Sequence, residues 1–101
     1  MKRFYITIKG GNVQRCGFRK VAVDLAQKMS LTGKATYVNH HLIIEAEGDE
    51  QSLLNFVGWC QQGPRGCMVD SLEYTEIPVT GSKNFEIIHG VVIKDSKAIK
   101  A

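Results

Sequence analysis

The chain opens on strict alternation. Phe4, Ile6 and Ile8 fall on one side, Arg3, Tyr5, Thr7 and Lys9 on the other. Period two with β-branched and aromatic residues predicts a half-buried strand, and Gly10-Gly11-Asn12 breaks it. From Phe18 the spacing becomes helical. Phe18, Val21, Ala22, Leu25, Ala26 and Met29 form one apolar stripe over 18–31, with Thr32-Gly33 as the stop. Residues 34–47 then predict a hairpin: Ala35–Val38, a turn at Asn39-His40, and Leu42–Glu47, closed by Gly48. Asp49 is placed to cap a second helix, because its carboxylate can accept an orphan backbone N–H. Leu53, Phe56, Val57 and Cys60 give that helix its apolar face, and Gly63-Pro64 ends it. A strand is expected over 68–77 and a last apolar stretch over 85–93, interrupted by Gly90.

The order β-α-β-β-α-β with one further strand predicts the α+β class. More narrowly it predicts a ferredoxin-like split β-α-β sandwich, an antiparallel sheet with two helices on one face. One domain over residues 1–93 is expected, followed by a polar, basic and flexible tail over 94–101. The 101 residues are enough for one buried core. The 44% apolar and 23% charged composition is that of a globular chain.

A net charge of +3 suits a small anion and lacks the dense basic stripe of a nucleic-acid binder. A ferredoxin-like RNA module is the fold-level alternative, but Tyr5 stands nearly alone where stacked aromatics are needed. No run approaches the roughly 20 apolar residues of a membrane span, and the alternating start does not read as a signal peptide. The expected setting is a cytoplasmic monomer without membrane or nucleic-acid partners. Cys16, Cys60 and Cys67 are odd in number and show no C-x-x-C spacing. They predict reduced thiols rather than a disulfide framework or a zinc site. His40-His41 would point to opposite faces of a strand, so no metal is expected. Phe56 and Trp59 read as structural.

Chemistry concentrates at residues 10–19, Gly-Gly-Asn-Val-Gln-Arg-Cys-Gly-Phe-Arg. A strand enters, a glycine-bounded loop turns, and a helix leaves. Such a turn can aim several N–H groups at one point, at the positive end of a helix, where an anion is favoured. Arg19, in the first helical turn, has the planar fork of donors that grips phosphate. A plain connector with Arg19 solvated has the same outline. Cys16 lies near Arg15, Arg19 and the helix start, an environment that activates a thiol; a packing role is the alternative.

The segment Gly11-Asn12-Val13-Gln14-Arg15-Cys16-Gly17-Phe18-Arg19 resembles the acylphosphatase signature G-x-V-Q-G-V-x-F-R, with Gly11, Val13, Gln14, Phe18 and Arg19 in register. Leu31-Thr32-Gly33, Glu45-Ala46-Glu47-Gly48, Gly63-Pro64 and Phe85-Glu86-Ile87 resemble further landmarks of that family, so the likeness spans about residues 3–89. It implies hydrolysis of the carboxyl–phosphate bond of small acyl phosphates, without cofactor or metal. By resemblance, Arg19 and the loop Gln14, Arg15, Cys16, Gly17 and Phe18 hold the phosphate, and inorganic phosphate is the second ligand. An asparagine on the next strand orients the attacking water.

Two positions depart from the pattern. Arg15 stands where glycine is usual, and a positive φ there would strain its side chain; the alternatives are a shifted loop allowed by Gly17, an Arg15 that adds charge to the site, and an arginine solvated at the rim. Tyr37 stands where the asparagine is expected. The nearest asparagine is Asn39, two residues and roughly 6–7 Å further along the same strand face. Asn39 and Tyr37 are the candidates for holding water. A degenerate domain that binds an anion or a partner without turnover is the alternative to an enzyme.

Overall fold

The structure is a computed structural model that describes residues 1–88. Gly90, the end of the last apolar stretch and the tail from Lys94 lie outside the described residues. The elements run β1 (Lys2–Lys9), α1 (Phe18–Lys28), β2 (Thr32–Val38), β3 (His41–Gly48), α2 (Glu50–Gln62), β4 (Ser71–Ile77) and β5 (Phe85–Ile87). The five strands make one sheet in the order β4-β1-β3-β2-β5. Strands β1 to β4 pair antiparallel, with Ile6 opposite Ile44 and Ala35 opposite Ile44 on the other side. Strand β5 departs from the antiparallel expectation: it lies parallel to β2, with Gly33 opposite Phe85. This is the edge where a returning chain can add a strand without a hairpin.

The alternation of β1 decides which face is covered. Phe4, Ile6 and Ile8 meet Leu42, Ile44 and Ala46 from β3, and Phe18, Ala22 and Ala26 from α1 and Leu53, Phe56 and Cys60 from α2 complete the core. Each large side chain buried here contributes about 1.5–3 kcal/mol. Helix α1 sits with its Phe18–Ala22–Ala26 line inward. Val23 is drawn into the core at 4% exposure while Val21 turns out at 42%, a correction to the expected stripe. The helix also ends sooner than expected. Ser30 adopts φ 62°, and the Leu31 and Ser30 N–H groups bond back to Ala26 and Gln27. This closes the helix in a Schellman arrangement before Thr32-Gly33, which enter β2.

The second helix starts as expected: the Asp49 carboxylate accepts from the Ser52 N–H at 3.2 Å. Asp49→Ala is expected to lower stability by about 1 kcal/mol, read as a shift of the urea midpoint. The hairpin turn also falls where expected, at Asn39 (φ 51°) and His40 (φ 69°). Two left-handed residues in a row match the twist of the flanking strands.

The polar face of β1 holds the main surprise. Arg3 is 4% exposed and bonds Glu47, also 4% exposed, at 2.9 Å and Glu45 at 3.0 Å. The segment between β4 and β5 crosses this end of the sheet, and there the Glu47 carboxylate accepts from the Thr80 and Gly81 amides. Burial works against the Glu47 charge. The Thr80 amide, the Arg3 guanidinium and the Gly81 amide outweigh it and hold the carboxyl below its ordinary value.

Candidate active site

The loop between β1 and α1 is built on two glycines and one asparagine. At Gly10 a Cβ would lie 1.9 Å from the Met68 carbonyl oxygen, so only glycine lets the strand end pass this connection. Asn12 joins the loop to the same connection: its Nδ2 donates to the Gly66 carbonyl at 2.8 Å and its Oδ1 accepts from the Met68 N–H at 2.9 Å. Those bonds, with the Asp70 N–H donating to Lys9, hold residues 68–70 outside β4, which begins at Ser71 rather than at 68. The Asn12 carbonyl in turn accepts from the Arg15 and Cys16 N–H groups.

Gly17 then takes φ 83° and serves as the N-cap of α1. The left-handed residue here is Gly17, and Arg15 stays outside that region, so its side chain carries no backbone strain. The Arg15 and Cys16 amides are used inside the turn. Among the described residues, the amides of Gly17, Phe18 and Arg19 donate to no backbone acceptor, and no side chain caps the helix. No acidic residue stands in the first turn of α1. The positive end of the helix therefore faces outward with its donors available, the local physics of an anion site.

Arg19 leaves this turn and lies over the ring of Tyr37, its guanidinium carbon 4.4 Å from the centroid. Its Nη1 donates to the Ile88 carbonyl at 3.1 Å, which the Thr36 hydroxyl also bonds. The fork is thus held on one side by an aromatic face and at one tip by a carbonyl. Tyr37 is brought to Arg19; Asn39 is instead an exposed residue of the hairpin turn. The turn still reaches the loop, because His40 Nδ1 lies 2.8 Å from Gln14 Oε1. Gly10, Gly11, Asn12, Gln14, Arg15 and His40 line a cavity of about 280 Å³ there. His40 was not among the residues expected at the loop, and its turn position carries no sequence signal for this contact. The Phe18 side chain is fully buried against Trp59, edge to face at 5.7 Å, and anchors the start of α1.

The thiols correct the expectation of three reduced cysteines. Cys16 and Cys67 form a disulfide across 51 residues of sequence, and Cys60 is free and buried. Loop and connection are brought together by the sheet, so local spacing could not reveal the pair. Burial pushes the Cys60 thiol well up, which leaves it inert.

Fold and loop together define an α+β sandwich whose β1–α1 turn presents free amides and an arginine to an anion. A family model described as Acylphosphatase matches residues 4–87. A curated acylphosphatase of Synechococcus sp. (strain RCC307) is 37% identical over 78 residues, 76% of this chain and 67% of that one. Another, of Synechococcus sp. (strain CC9311), is 33% identical over 88 residues, 86% of this chain and 98% of that one. The crystal structure of acylphosphatase from Bacillus subtilis matches with a TM-score of 0.83 at 30% identity, covering 88% of this chain and 100% of that chain. The chain belongs to the acylphosphatase family. Among the described residues no helix is long and apolar enough to cross a membrane.

Proposed function

We propose that this chain hydrolyses the carboxyl–phosphate bond of small acyl phosphates, releasing a carboxylate and inorganic phosphate. The observation that carries the reading is the free first turn of α1 beside a restrained Arg19. Phosphoryl transfer depends mainly on positioning and charge neutralisation. The Gly17 and Phe18 amides receive two phosphate oxygens, and the Arg19 fork receives the third and the bridging oxygen. Gln14, Arg15 and Cys16 form the wall of the cradle. Water adds to phosphorus, the bond from phosphorus to the acyl oxygen breaks, and the carboxylate leaves with that electron pair. A carboxylate is a good leaving group, so neither cofactor nor metal is required.

Asn39 is the carboxamide we assign to holding the water, on a hairpin turn whose next residue already bonds Gln14. Tyr37 acts by supporting Arg19. Asn39→Ala is expected to lower kcat roughly a hundredfold with KM little changed, read from steady-state rates. The reading takes the chain as a cytoplasmic monomer without nucleic-acid or membrane partners.

Benzoyl phosphate tests the activity. The folded chain is expected to release benzoate and phosphate in equal amounts, far faster than the spontaneous reaction and unchanged by EDTA. A folded, disulfide-bonded chain that leaves the spontaneous rate unaltered refutes the assignment and supports a binding domain without turnover.

A further inference from the structure

The loop and the connection 63–70 meet along one seam with three ties. Two belong to Asn12 and fix the start of the loop, through Gly66 and Met68. The third is the Cys16–Cys67 bond, which is covalent and lies immediately before Gly17, the first of the free amides. The two Cα atoms are 5.5 Å apart. With this bond opened, the downstream half of the loop keeps the turn bonds from the Arg15 and Cys16 amides to Asn12 and the exposed Gln14–His40 contact, and has no covalent tie to the connection 63–70. The same event leaves a thiol between Arg15 and Gly17, at the positive end of α1. Surroundings of that kind favour the thiolate. A negative sulfur there would occupy the field that the cradle offers to phosphate.

We propose that Cys16 and Cys67 are positioning residues for the reaction: their disulfide holds the phosphate loop open and positive, and its reduction weakens phosphate binding. The inference rests on the functional reading above. The chemistry balances with a dithiol as reductant. Two electrons and two protons pass to the protein, the Cys16–Cys67 bond becomes two thiols, and the dithiol closes to its own disulfide. Cytoplasmic dithiols are the corresponding class in a cell. Cys60, buried in the core, takes no part.

The test uses the whole chain in oxidised and dithiothreitol-reduced forms, after removal of the reductant and below the unfolding range of both. Under denaturing conditions the oxidised form is expected to titrate one thiol and the reduced form three. On reduction, KM for benzoyl phosphate and the inhibition constant of inorganic phosphate should both rise about fivefold, with kcat held within about twofold. Reoxidation should restore both, and Cys67→Ser should behave as the reduced form. The double variant Cys16→Ser, Cys67→Ser, which lacks the sulfur charge, should recover part of the affinity. A bond that merely staples the fold would move the melting temperature and leave KM and the inhibition constant in place, and that result overturns the proposal. Three thiols in the oxidised preparation overturn it as well. If the oxidised chain shows no turnover, the activity assignment fails separately. Calorimetric titration with inorganic phosphate then decides this inference, and equal affinity in both redox forms counts against it.

Discussion

Glu47→Ala should lower the stability of the chain by about 3 kcal/mol, moving the melting temperature by on the order of 15 °C for a domain of this size. The size of the effect comes from what is left behind. Arg3 would stay buried with only Glu45 to balance it, and the Thr80 and Gly81 amides would lose their acceptor. Removing one partner of a buried pair is far more damaging than never having built it.

The same carboxylate sets an acid limit. Its pKa is lowered on folding, so the unfolded chain binds more protons than the native one between the folded value and the ordinary 4.5. The stabilisation from Glu47 is complete above the unfolded pKa and is lost as the pH falls through the folded one. Urea midpoints at pH 7 and pH 3 check this. The wild type should lose more stability between the two than Glu47→Gln, which has no charge to lose. Parallel losses in the two proteins would place the acid sensitivity elsewhere.

Arg19→Ala should reduce kcat/KM about a thousandfold, the range seen when a charge-stabilising donor is removed from a phosphoryl or acyl transfer site. The side chain is half-buried, not core, and its partners are a ring face and one carbonyl. The melting temperature should therefore move little. Millimolar guanidinium ion should return part of the rate, because the vacated place over Tyr37 still offers the same aromatic face and carbonyl. Failure of rescue together with a large loss of stability would make Arg19 a structural residue.

Most of the fold is written locally. Alternation in Phe4–Ile8 gives β1, Asp49 starts α2, and the left-handed tolerance of Asn39 marks the turn. The features that escape sequence reading all depend on chain segments meeting at a distance. Arg3 reads as a solvated residue because nothing near it predicts that residues 80–82 will cross above it. Cys16 reads as a lone thiol because its partner lies on another connection. His40 reads as a plain turn residue until the hairpin is set against Gln14. At the loop itself the spacing places Arg19 in the first helical turn, where it is found. Which amides remain free depends on Asn12 capturing those of Arg15 and Cys16, a bond pattern that the folded loop sets.

The most direct measurement is the initial rate of benzoyl phosphate hydrolysis by the oxidised wild type and by Arg19→Ala in the same buffer. The account predicts robust turnover in the wild type and near-complete loss in the variant. Equal rates in the two folded proteins, or no turnover in the wild type, would contradict it.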